Sequence, residues 1–154
     1  DIKGRSHTKA IAVLLGSMDQ LPLVAENFPS PAEKLARKFW PGALTLVVAK
    51  RKNLPENISP YPTIGIRIPD HEFAIKLLKY CGPLATTSAN LSGEKDACSV
   101  VDVLNQLPEG LDLLLDGGVI PAGIPSTVVD CTEFPIRILR KGAISEEEIF
   151  NTLK

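Results

Sequence analysis

Apolar and polar positions along the chain repeat with two different periods. Between residues 63 and 68 the period is two: Ile64, Ile66 and Ile68 fall on one side, Thr63, Gly65 and Arg67 on the other. That alternation predicts a half-buried strand. Short apolar runs at 10–15, 44–49, 84–87, 111–115, 126–131 and 136–139 predict further strands. Among these, Leu84, Ala85 and the run 111–115 read as buried. The longer period belongs to helices. Ser30-Pro31-Ala32-Glu33 has the form of a capping box with Pro at the first helical position, so a helix is expected from Ser30 to about Phe39, stopped by Pro41-Gly42. Asp70 is placed to cap a helix carrying Phe73, Ala74, Leu77 and Leu78 and ending near Cys81-Gly82. Ser99 and Asp102 open another helix, which ends near Leu107. Ser145 and Glu148 form a last capping box, with Ile144 and Ile149 spaced as a hydrophobic staple. Residues 50–62, with three prolines, predict an excursion without regular structure.

Three or four helices against six or seven strands define an α/β protein. The last two strands are close enough to pair antiparallel. The expected architecture is a single domain over 1–154 with a twisted mixed sheet, parallel and antiparallel, and flanking helices.

Composition narrows the class. At 154 residues and 44% hydrophobic, the chain can bury one real core. With 17 basic and 18 acidic residues the net charge is −1, which removes any bulk basic signal for nucleic acid. No apolar run nears the ~20 residues of a membrane span. Cys81, Cys98 and Cys131 are widely spaced, fitting neither a disulfide framework nor a zinc pattern. Reduced thiols and no apolar stretch at Asp1-Ile2-Lys3 point to a cytoplasmic protein. No metal site is expected.

The candidate chemistry sits in five places. Lys3 and Arg5 share a face of an extended segment around Gly4, with His7 and Lys9 behind, and suit a phosphate or carboxylate, or simply a solvated basic segment. Arg67 shares a strand face with Thr63 and would clamp a carboxylate, unless it forms an internal ion pair or faces solvent. Thr86, Ser88 and Asn90 crowd the end of one strand, either aimed at a ligand oxygen or satisfying a turn. The loop 116–130 brings three glycines up to Ser126. Arg137, Arg140 and Lys141 cluster at the last strand. No Gly-x-Ser-x-Gly and no Gly-x-x-x-x-Gly-Lys is present, so neither a hydrolase elbow nor a Walker loop is available.

Taken in order, Lys3-Gly4-Arg5, FWPGALTLVV, TIGIRIPDH, TTSANLSG, LLLDGG, STVVD and RILRKGAI resemble the YrdC-like domain family, the threonylcarbamoyl-AMP synthases of tRNA modification. The resemblance runs from Lys3 to about Ile144. It implies a nucleotidyltransferase that condenses L-threonine, bicarbonate and ATP, carried with Mg2+, into threonylcarbamoyl-AMP and pyrophosphate. A tRNA-modifying complex then uses the product on adenosine 37. By the same resemblance Lys3 and Arg5 are the catalytic pair and bind nucleotide together with Lys9, Thr63, Ser88, Asn90 and Arg140. Arg67, Thr86 and Ser126 hold threonine, and Asn90 fixes its loop or meets phosphate. The family's Thr-Asp-Thr-x-Tyr-Gly-Leu stretch, which lines the threonine pocket ahead of Lys3, has no counterpart after Asp1, so the N-terminal portion of the usual domain is expected to be missing here. Ser6 and Ala10 stand where the family has prolines, and Asp96 where a serine is common. Two other readings compete: a non-catalytic module binding double-stranded RNA or the ribosome, and an inactive truncated relative.

Overall fold

The computed structural model describes residues 10–119 and 123–154. Its framework is a sheet of six strands among the described residues: β1 (Ala12–Leu14), β2 (Leu44–Ala49), β3 (Thr63–Arg67), β4 (Leu84–Thr86), β5 (Thr127–Asp130) and β6 (Arg137–Arg140). They lie side by side in the order β4-β1-β3-β2-β5-β6. The pairs β1–β3 and β2–β5 are parallel, and β1–β4, β2–β3 and β5–β6 antiparallel. The expected mixed sheet and the antiparallel last pair are therefore present.

Strand register sorts the side chains into two faces. Val13 pairs with Ile66, Leu46 with Ile66 and also with Val129, and Val48 with Ile64. All six are at most 3% exposed. This face packs against α1 (Leu21–Val24), α2 (Ser30–Phe39) and α5 (Glu146–Leu153), which contribute Leu21, Val24, Leu35, Ala36 and Ile149 to one core. In α2, Ala32, Leu35, Ala36 and Phe39 recur at helical spacing, which is why one side of it turns inward. Each fully buried leucine or isoleucine contributes about 1.5–3 kcal/mol of apolar burial. The opposite face carries Ala12, Leu14, Thr45, Val47, Gly65, Arg67, Thr86 and Val128, small or polar residues for the most part.

Several expectations are corrected. The helix at Ser30 runs over Ser30–Phe39 as expected, but its cap differs: Pro29, extended at φ −61° and ψ 151°, is the N-cap, and Ser30 makes no capping bond. Glu33 donates its N–H to the Pro29 carbonyl, and its carboxylate takes Arg37 at 2.6 Å instead of reaching back. In α3 (Glu72–Cys81) the cap is His71, whose Nδ1 accepts from the Ala74 N–H, and not Asp70. The helix α4 (Val100–Gln106) is capped by Ser99, and α5 carries the expected box between Ser145 and Glu148. The four-residue α1 is too short to announce itself by periodicity, so five α-helices are present among the described residues. The edge position of β4 leaves Leu84 38% exposed and Ala85 exposed as well. Residues 111–115 form no strand and are exposed, Leu113 to 75%. A strand is defined by the neighbour it hydrogen-bonds, and among the described residues none pairs with this run.

Candidate active site

The small-residue face of the sheet forms the floor of a cleft of about 570 Å³. Ala12, Thr45 and Gly65 keep the floor low. A Cβ added at Gly65 would stand 3.2 Å from the Thr45 methyl, so any larger side chain would rise into the cleft. One wall is the end of β4 with Thr86, Thr87 and Ser88. Pro125, Ser126, Val128 and Arg140 form the other, and Asp96 closes part of the rim.

Two guanidinium groups enter this space. Arg67 leaves the last position of β3 and is braced by its Nε, which donates to the Gly42 carbonyl at 2.7 Å. That carbonyl is available because Gly42 follows the turn that ends α2, where its own N–H bonds to the Ile68 carbonyl. Arg140, at the end of β6, donates from Nε (3.1 Å) and Nη2 (2.8 Å) to the Ser126 carbonyl, and from Nη2 to the Ser126 hydroxyl at 2.9 Å. The Ser126 hydroxyl in turn lies 2.8 Å from that of Thr45. Burial first, and then the charge of Arg140, hold the Arg67 guanidinium below its ordinary pKa. Among the described residues, no carboxylate lies within ion-pair distance of either arginine. Two neighbouring cations with no carboxylate in reach among the described residues favour an anion between them.

Five of the site residues expected from sequence, Arg67, Thr86, Ser88, Ser126 and Arg140, line this one cleft. Thr63 does not. It is on the same side of β3, two residues beyond Gly65, but pairs with Ala49 past the end of the cleft. Asn90 is also outside the lining: it is 5% exposed, and its Nδ2 donates to the Glu94 carbonyl at 2.7 Å. That bond ties the loop after β4 to itself. Lys3, Arg5 and Lys9 lie outside the described residues. The sequence reading missed Thr45, Gly42 and Gly65. For Thr45 the one visible signal was a lone hydroxyl in an otherwise apolar strand.

A second cleft, about 600 Å³, lies where α1 meets residues 51–53. Its cations are already engaged: Arg51 Nη1 donates to the Pro22 carbonyl at 2.6 Å, and Lys52 faces Glu26 at 3.9 Å. Among the described residues it holds one cation without a carboxylate partner, Arg51, and not a neighbouring pair as in the first cleft. Among the described residues no cluster of side chains could hold a metal ion, and no helix is long and apolar enough to cross a membrane.

Comparison with known proteins identifies the family. The Sua5/YciO/YrdC family model, described as "Telomere recombination", matches residues 1–142, and the chain belongs to that family. It is 38% identical over 151 residues to the threonylcarbamoyl-AMP synthase of Pyrococcus abyssi, a match covering 97% of this chain and 44% of that protein. It is 35% identical over 155 residues to the Bacillus subtilis protein of the same name, again covering 97% of this chain and 44% of the relative. The chain thus spans less than half the length of these curated relatives. The crystal structure of P. abyssi Sua5 complexed with L-threonine superposes with a TM-score of 0.92 at 37% identity, over 99% of this chain and 45% of that one.

Proposed function

We propose that the chain is the synthase domain of an L-threonylcarbamoyladenylate synthase, a nucleotidyltransferase that makes threonylcarbamoyl-AMP and pyrophosphate from L-threonine, bicarbonate and ATP. The observation that carries the reading is the pair Arg67 and Arg140, without a carboxylate partner among the described residues and held in one cleft beside Thr86, Ser88 and Ser126. Similarity to proteins named threonylcarbamoyl-AMP synthase supports it, as does the likeness to a structure holding L-threonine.

The chemistry requires a carbon–nitrogen bond between the threonine amine and the carboxyl carbon supplied by bicarbonate, with loss of water. An oxygen of the resulting carbamate then attacks the α-phosphorus, and pyrophosphate leaves. No side-chain nucleophile is needed. Alignment of three anionic reactants and neutralisation of their charge supply the catalysis. Arg67 pairs with the threonine carboxylate, with Thr86 and Ser126 supplying neighbouring hydroxyls. Arg140 and Ser88 face nucleotide phosphate. Lys3, Arg5 and Lys9, which the family resemblance assigns to phosphate, complete the positive lining. Magnesium enters with ATP as part of the substrate.

The product is consumed by a tRNA-modifying complex, and the working compartment is the cytoplasm. A non-catalytic RNA module is less well supported: the net charge is −1, and the chain lacks the alternating aromatic and basic residues that stack single strands. Titration calorimetry with L-threonine and with ATP, each alone and each with the other present, tests the reading. Binding of both, tighter together, is expected. Binding of duplex RNA with a steep salt dependence and no response to threonine would overturn it.

A further inference from the structure

We propose that Thr45 is a positioning residue: its buried hydroxyl orients the proton of Ser126 into the cleft, toward the carboxylate of the amino-acid substrate. The inference rests on the function proposed above and deepens it.

The argument is an inventory of protons. Thr45 sits near the start of β2 and is 7% exposed; Ser126 is 6% exposed. Each hydroxyl has one proton to donate and two lone pairs to accept with. Arg140 Nη2 can only donate, so at 2.9 Å the Ser126 oxygen accepts from it. The remaining contact, 2.8 Å between the two hydroxyls, can run either way on geometry alone. The surroundings decide it. Among the described residues, Thr45 Oγ1 has no other acceptor for its proton. Were Ser126 the donor, the Thr45 proton would have no protein acceptor among the described residues, on a side chain only 7% exposed, an arrangement folded proteins disfavour. Thr45 therefore donates, and Ser126 Oγ accepts from both neighbours. The Ser126 proton then points away from both, into the space that Arg67 and Arg140 make attractive to an anion. A hydroxyl that accepts two hydrogen bonds is also a stronger donor, because each incoming bond polarises the outgoing one. Without Thr45, Ser126 still accepts from Arg140, but its proton regains freedom to rotate.

Thr45→Val keeps the shape and removes the hydroxyl; Thr45→Ser keeps the hydroxyl and removes the methyl. In the full-length protein we expect Thr45→Val to weaken L-threonine binding by about 10-fold or more, the usual loss for a hydrogen bond to a charged group. ATP binding should change much less, and KM for threonine should rise more than kcat falls. Thr45→Ser should restore threonine affinity to near the wild-type value. In a Ser126→Ala background, Thr45→Val should cost little more, because Thr45 acts through Ser126. Equal impairment by the Ser and Val variants, or full additivity with Ser126→Ala, would overturn the proposal; so would a greater loss for ATP than for threonine. Should Thr45→Val fail to fold, the Thr45→Ala and Thr45→Ser pair, compared in both backgrounds, makes the same discrimination. Wild-type protein that binds no threonine overturns the proposed function and this inference together. Wild-type binding that survives in Thr45→Val overturns the inference alone.

Discussion

Arg140 closes a fork on the carbonyl oxygen of Ser126, with Nε at 3.1 Å and Nη2 at 2.8 Å, and so fastens the end of β6 to the start of β5. The chain just beyond makes the fastening tighter. The Ala143 N–H bonds to the Pro125 carbonyl at 3.0 Å, and the Thr127 hydroxyl donates to the Ile144 carbonyl at 2.6 Å and accepts from the Ile144 N–H at 3.0 Å. Between them lies Gly142. A Cβ there would stand 2.3 Å from the Pro125 oxygen and 2.4 Å from the Thr127 nitrogen, both backbone atoms that cannot swing aside. The cleft wall holding Ser126 and Arg140 exists in this form because residue 142 has no side chain.

Gly142→Ala is therefore expected to destabilise the fold by roughly 2 kcal/mol or more, as forced overpacking does. That corresponds to a fall in melting temperature of about 4–8 °C for a chain of this size. Thermal unfolding followed by circular dichroism measures it. A variant that melts with the wild type would mean the two segments part easily, and the fork would not be a rigid wall.

Arg67→Ala should weaken threonine binding far more than ATP binding. Truncating one member of a buried, charge-assisted pair costs about 2–5 kcal/mol, or roughly 30-fold to several thousand-fold in affinity. Arg67→Lys should recover only part of the loss, since a lysine lacks the planar fork that meets a carboxylate with two bonds while Nε is held by Gly42. Calorimetry on the three proteins decides the point. An equal loss for both ligands would move Arg67 from the carboxylate to a shared electrostatic role.

Gly65→Val is expected to leave the sheet intact and close the site. Valine suits a strand centre, and the position carries no positive φ. Its branches would fill the space above Thr45 and Ala12 where a ligand must lie. Melting should fall only by the small cost of shifting the Thr45 methyl, which the new Cβ would meet at 3.2 Å, while ligand binding falls below detection. Wild-type affinity in this variant would show that ligands do not reach the sheet floor.

The cysteines offer a chemical test of the core. Burial first, and the neighbouring Asp130 carboxylate second, push the Cys131 thiol up to about 12 from its ordinary 9.0. Cys81 is exposed. A thiol reagent at pH 8 should label Cys81 in the native protein, while Cys131 reacts only after denaturation. The shift also carries a sign for stability. The unfolded thiol ionises near 9.0 and the native one near 12, so its contribution is whole below pH 9 and is lost as pH rises from there toward 12. Mass spectrometry of labelled peptides checks the first statement and alkaline denaturation the second. Fast native labelling of Cys131 would contradict both.

How far each feature could be read from sequence follows from the range of the physics behind it. The alternation of Ile64, Ile66 and Ile68 is local, and all three are buried as that pattern requires. Arg67 stood out because a cation on an otherwise apolar strand needs a reason. The run 111–115 misled because apolar composition is local whereas strand pairing is not. Asn90 and Thr63 were placed by motif and face, yet a cleft ends where neighbouring strands end, and that depends on register. The role of Thr45 was not legible for the same cause: its lone hydroxyl could be seen, but its partner Ser126 is 81 residues away in sequence and arrives only when β2 and β5 pair in parallel.

Incorporation of label from [14C]bicarbonate into an adenylate tests the central claim most directly. The full-length protein is incubated with ATP, Mg2+ and labelled bicarbonate, with and without L-threonine, and the products are separated by chromatography. The account requires a labelled threonylcarbamoyl-AMP peak, formed with an equal amount of pyrophosphate, absent without threonine and abolished by Arg67→Ala. ATP hydrolysis without label transfer, or label transfer indifferent to threonine, would contradict it.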